Sequence, residues 1–210
     1  MDTAGLLTLA DSRLPVGGHV HSGGVEEAVA SGLIRDLAGV REYLLRRART
    51  VGLVSGSIAA AVCAGRLTPE LADAEASART PSPAARQASR TQGRGLLRFA
   101  RRAWPDGDWA RWGERPHAAV VLGEIARRSG VDPAGAAMVA GYTSMTGAAT
   151  AAQRLLALDP ADVAVVTMEL ARECETVASV AVVGLADRSD PLQDVLAERH
   201  LLRDNPLFVS

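Results

Sequence analysis

From Pro133 to Gln153 the chain runs without a single charged residue, bounded by Asp132 and Arg154. A stretch of that length without charge fits either a bilayer or a protein core. Its content is mainly Ala, Gly, Ser and Thr, which gain little from hydrocarbon, so the sequence predicts a buried central helix rather than a membrane span. Within it Ala137, Gly141, Ser144, Ala148 and Ala151 recur at alternating four- and three-residue steps, with Met138, Tyr142 and Met145 beside them. Such a face lets another helix approach closely, within a bundle or across a dimer axis, and the bundle core is the better fit.

What can pack around that helix follows from composition. The hydrophobic content is 48% but aromatics are only 3%, so Leu, Val and Ala must fill the core. Residues that favour strands are sparse, and the prediction is an all-α bundle of roughly eight to ten helices in one domain. The cap signals agree. Ser22 precedes Glu26 as the start of a second helix running to Ser31, with Gly32 at its end. Asp36 opens a third helix with Leu37, Val40 and Leu44 inward, and Gly52 and Gly56 are read as dividing it from an apolar helix Ser57 to Ala64. Thr68-Pro69 places a capping residue before a first-turn proline and opens an acidic segment that Thr80-Pro81-Ser82-Pro83 closes, and Asp159-Pro160 begins the longest amphipathic helix. The helix after Asp159 carries an apolar stripe of Val163, Val166, Leu170, Cys174 and Val177. A last helix ends near Arg203, leaving residues 204–210 as a tail.

Charge prunes the possible functions. The formal net charge is −1, which gives no global drive toward nucleic acid or an acidic membrane. All 23 basic residues are arginine, and without lysine neither a Walker A phosphate loop nor a pyridoxal Schiff base is native to the chain. Cys63 and Cys174 stand alone in apolar helical surroundings, which burial in a reducing compartment explains. No secretory pattern opens the chain, and a cytoplasmic location is expected. Among the 4 histidines, His19 and His21 are spaced to chelate a metal from an extended loop, but no third ligand is visible, and His21 reads better as a hydrogen-bonded structural residue. Ser22 beside His21 lacks a nucleophile-elbow motif, so catalysis is not expected. Trp109 and Trp112 sit in a loop after Trp104-Pro105, as a contact surface or as a cover on the core.

The helix from Ser82 to Ala103 is unusual because Arg86, Arg90, Arg94 and Arg98 recur every four residues. Like charges at that spacing repel, so acidic groups or solvent should face them. The intramolecular candidate is the acidic segment Glu70 to Glu75. The intermolecular candidates are an acidic protein surface or a phosphate backbone, since arginine forks bind carboxylate and phosphate alike. The second of these would make the chain a helical nucleic-acid-binding protein using Arg86 to Arg98.

The segment Leu6 to Glu27 joins a helical stretch to a glycine-rich connector, so that residues 1–21 read as an N-terminal helix and loop. Its glycines permit positive φ or close approach. Leu6, Leu9, Asp11, Ser12, Pro15, Gly17, Gly18, His21, Ser22, Gly23, Gly24 and Glu26 stand in the order of the opening signature of the UreF family of urease accessory proteins, which the chain resembles. Arg86, Ser89 and Gly93 resemble a further part of the family pattern, and Leu207, Phe208 and Ser210 resemble its ending. The chain departs from the pattern at His19-Val20, at Asp159-Pro160 where a Gly-Gln pair is usual, and at Pro206 where an arginine is usual.

The resemblance implies an all-helical homodimer acting as a non-enzymatic assembly chaperone. It implies three partners: a UreD/UreH-type accessory protein, a UreG-type GTPase, and the apo-urease that receives nickel. The opening loop, from Asp11 to Glu26, and the tail residues Leu207, Phe208 and Ser210 are then the expected partner-binding segments. No intrinsic cofactor is expected, with nickel handled by the complex and GTP bound by the GTPase. By the other reading, the tail merely tucks onto its own bundle.

Overall fold

The computed structural model describes residues 3–12, 14 and 20–208, and it is all-α, without a strand among them. The centre is α8 (Pro133–Leu156), started by Asp132, whose carboxylate accepts from the Gly135 N–H at 2.8 Å. Around it lie α4 (Leu53–Cys63), α9 (Pro160–Ala181), α7 (Ala118–Arg128), α3 (Leu37–Arg47), α2 (Val25–Ala30) and α1 (Thr3–Ala10). The uncharged run is therefore a core helix, and none of the described helices is long and apolar enough to cross a membrane. The remaining elements are α5 (Pro69–Ala78), α6 (Pro83–Ala103) and α10 (Pro191–His200).

Small residues set the spacing of this core. A Cβ added to Gly56 would lie 3.2 Å from the Ala137 carbonyl oxygen, and one at Gly52 would lie 3.4 Å from the Gly141 Cα. Where α7 packs on α4, a Cβ on Gly123 of α7 would strike the Ala59 carbonyl. Backbones this close exclude water with few bulky side chains, which is how so few aromatics suffice. Gly52 and Gly56 do not divide two helices: α3 continues through a π turn (Ala48–Gly52) directly into α4. Their lack of a side chain serves contact with α8 instead. The stripe on α9 is buried as its period requires, at Val163, Val166, Leu170, Cys174 and Val177.

The other side of α7 is closed by α6, where Gly93 meets the backbone of Pro116, His117 and Ala118. Ser89 Oγ lies 3.0 Å from His117 Nδ1 and Ser77 Oγ 3.1 Å from its Nε2, while Asp73 accepts the His117 N–H at 2.9 Å. Burial pushes the His117 imidazole down to about 4, Arg90 adds to the effect, and Asp73 opposes it. The ring is neutral and bridges two hydroxyls. Trp109 is buried, donating its indole N–H to the Trp104 carbonyl at 2.7 Å under the Arg128 guanidinium, so this loop tryptophan covers the core.

Candidate functional site

The two segments that the sequence singles out at opposite ends of the chain meet at α2. This helix is short because its start is spent on a left-handed turn, with φ of 62° at Gly23 and 89° at Gly24. Any side chain there is blocked as well as strained: a Cβ on Gly23 would lie 2.8 Å from the Arg47 guanidinium, and one on Gly24 2.8 Å from the Tyr43 hydroxyl. The Gly23 carbonyl accepts from Tyr43 Oη at 2.7 Å and from Arg47 Nη1 at 2.9 Å. Arg47 also donates to the Ser144 carbonyl at 3.0 Å and to Gln193 Oε1 at 2.9 Å, tying the turn to α8 and α10.

Ser22 does not cap this helix. Gly24 occupies the cap position without a side-chain hydrogen bond, and Ser22 is fully buried. Glu26 does not close a capping box either, because its carboxylate faces the C-terminal tail. It is only 3% exposed. Its Oε1 accepts the Leu207 N–H at 2.7 Å, and its Oε2 accepts the Phe208 N–H at 3.1 Å and lies 3.0 Å from His200 Nε2. Burial pushes His200 down, and the opposing pull of Glu26 does not overcome it, so the neutral ring uses its Nε2–H as the donor. The neighbouring Glu27 accepts from Arg199 at 3.0 Å and Arg203 at 2.9 Å. Burial would raise the Glu27 carboxyl, but those arginine hydrogen bonds outweigh it and hold it low.

The tail is thus clasped by backbone as much as by side chain. Phe208 is buried in the same core cluster as Val25 and Leu196, whereas Leu207 is 79% exposed and Leu202 83% exposed. Pro206, in place of the family's arginine, removes no group that the clasp uses, since the donors are the next two amides. Asp159, in place of the Gly-Gln pair, caps α9 through the Ala161 N–H at 2.8 Å, after Ala157 turns the chain with φ 49°.

Of the other sequence-predicted residues, His21 is buried, and Asp11 and Ser12 follow α1, which packs on α7 and α8 rather than with α2 and α10. Pro15, Gly17, Gly18, His19 and Ser210 fall outside the described residues. Among the described residues no three His, Cys, Asp or Glu side chains gather to hold a metal. The arginine stripe divides. Arg86 donates to the Thr80 and Pro81 carbonyls at 2.7 and 2.8 Å. Arg90 pairs with Asp73 at 2.8 Å and also reaches Ser77 and the Arg115 carbonyl. Arg94 and Arg98 are exposed and have no ion-pair or hydrogen-bond partner among the described residues.

Sequence reasoning missed Glu27, Tyr43, Arg47, Arg199, His200 and Arg203. A signal was present in the adjacent carboxylates Glu26-Glu27 and the basic group Arg199, His200 and Arg203 just before the tail. Their separation of more than 170 positions hid the match.

This architecture defines a class: an all-helical bundle whose N-terminal glycine turn and C-terminal tail are clasped together by buried carboxylates. The sequence model for UreF matches residues 34–171. The chain belongs to the UreF family of urease accessory proteins. It is 62% identical over 210 residues to urease accessory protein UreF of Mycolicibacterium vanbaalenii, covering 99% of this chain and 98% of that one. It is 58% identical over 205 residues to that of Mycobacterium marinum, covering 98% and 97%. The protein of the same name from Mycobacterium tuberculosis strain H37Ra is 60% identical over 205 residues, again 98% and 97%. These similarities run through the α2 turn, which the family model leaves out.

Proposed function

We propose that the chain is a non-enzymatic cytoplasmic chaperone for nickel insertion into apo-urease, working as a homodimer. Its clasped loop and tail dock a UreD/UreH-type accessory protein, and a UreG-type GTPase joins the same assembly. The observation that carries this reading is the Glu26 clasp, which ties the family-signature tail to the α2 turn and leaves Leu207 and Leu202 exposed. Exposed leucines on a backbone fixed from behind are the anchors that a partner groove would bury. Phe208 does not serve as a free anchor while clasped, and its part is to hold the segment.

The division of labour follows from the absence of lysine, because the phosphate-loop chemistry must come from the GTPase. Nickel is cargo, passed within the complex. A scaffold can favour its release only by binding one nucleotide or metal state of the GTPase more tightly than another. The test is size-exclusion chromatography with light scattering on the chain alone, with the UreD-type partner, and with both partners. A complex formed by the intact chain and lost on deleting Leu207 to Ser210 is the expected result. No complex under any nucleotide or nickel condition refutes the proposal.

A further inference from the structure

A protein that bridges two partners needs two surfaces, and the loop–tail clasp supplies one. We propose that the exposed outer face of the C-terminal half of α6, centred on Arg94 and Arg98, is a second docking surface, for a protein partner whose matching face carries a row of carboxylates. This rests on the scaffold reading above, and within that assembly the occupant is the UreG-type GTPase.

α6 carries no acidic residue of its own, and its arginines fall into two groups. Arg86 and Arg90 are consumed inside the molecule, by carbonyls and by Asp73. Arg94, Arg98, Arg101 and Arg102 are exposed, without a carboxylate partner among the described residues. At 100° per residue these four fall within an arc of about 100° on the helix. Arg101 and Arg102 lie at the helix C-terminus, where the backbone dipole favours cations. Arg94 and Arg98 lie further in and gain nothing there, so their unanswered charge is what calls for a partner.

The face lies away from the junction of α6 with α10. Glu198 of α10 holds the start of α6 by accepting from Ser82 Oγ at 2.5 Å and the Ala84 N–H at 2.9 Å. With a rise of 1.5 Å per residue, Arg94 to Arg102 lie about 15 to 27 Å along the helix from that junction. The face is therefore separate from the stretch of α6 that α10 holds. Carboxylates fit the face better than nucleic acid does, because the chain as a whole has 23 basic against 24 acidic residues and gives a polyanion no general attraction. Arginine forks engage carboxylates bidentately, and pairs on an exposed helix steer association and weaken with salt.

The experiment compares the full chain with its Arg94→Glu/Arg98→Glu variant by biolayer interferometry against the purified UreD-type protein, the UreG-type GTPase and a DNA duplex, at about 50 and about 500 mM salt. The expected result is unchanged helix content and UreD-type binding, at least tenfold weaker GTPase binding, and wild-type GTPase affinity that falls with salt. Equal GTPase binding by both chains, with the UreD-type complex intact, overturns this proposal and leaves the scaffold reading standing. Wild-type binding of the duplex in preference to the GTPase, lost in the variant, overturns it in favour of nucleic acid. Failure of the wild type to bind either protein overturns the scaffold reading, and this proposal with it.

Discussion

Replacing Glu26 by Gln isolates the clasp. The carboxylate accepts two tail amides, at 2.7 and 3.1 Å, and lies 3.0 Å from His200 Nε2. Hydrogen bonds to a charged group contribute about 1.5–3 kcal/mol each, but the amide keeps one carbonyl acceptor and removes the cost of burying a charge. A net loss of about 2 kcal/mol follows, because the new NH₂ must face a backbone N–H or the imidazole N–H. Burial of Phe208, worth about 1.5–3 kcal/mol, still holds the tail. The tail should therefore open about thirtyfold more often without the bundle unfolding. Hydrogen exchange at the Leu207 and Phe208 amides measures this directly: their protection should fall by about that factor, while amides of α8 and α9 keep theirs. Unchanged protection at the two tail amides would refute the reasoning, and so would equal loss across α8.

Gly93→Ala should destabilise the fold by about 3 kcal/mol in urea unfolding, because its Cβ would collide with the Pro116 carbonyl and α6 would have to leave α7. Ala157→Gly should stabilise by about 0.5–1 kcal/mol, raising Tm by about 2 °C, since Ala157 holds φ 49° at the end of α8. His117, pushed from 6.5 down to about 4, binds protons in the unfolded chain before it does so in the fold. Its contribution is complete above pH 6.5 and is lost as pH falls toward about 4, a loss of roughly 3 kcal/mol that urea midpoints at stepped pH should trace and that His117→Gln should flatten.

Local chemistry was legible in the sequence. Asp36, Thr68 and Asp159, each read as a helix start, accept a backbone N–H two or three residues into their helices, and Ser82 and Asp132 do the same. The stripe on α9 was legible because its period is that of the helix. What failed was the reading of residues whose partners are remote. Gly52 and Gly56 look like breaks in a local window, yet they answer to α8 about ninety positions on. Ser22 and Glu26 look like a capping pair, but the tail offers Glu26 charge-assisted bonds that its own helix start could not match. The meeting of loop and tail lies in no local pattern, and the first arginines of α6 were settled only by which carbonyls and carboxylates surround them.

The π turn between α3 and α4 restricts how this chain can vary over generations. It joins two helices into one rod while holding an extra residue, and each end of that rod is keyed to a different part of the core: Val40, Tyr43 and Leu44 to one cluster, Val54, Ile58 and Val62 to another. Removing the extra residue from Ala48–Gly52 would restore a regular helix and leave the faces on either side in phase, whereas removing one from within α3 would rotate everything beyond it by about 100°. Val54, Ile58 and Val62 would leave their neighbours together, and Gly52 and Gly56 would no longer face α8. Along the rod from Val40 to Val62 a change of one residue is therefore absorbed at the π turn, while the regular turns on either side are open to substitution but closed to changes of length.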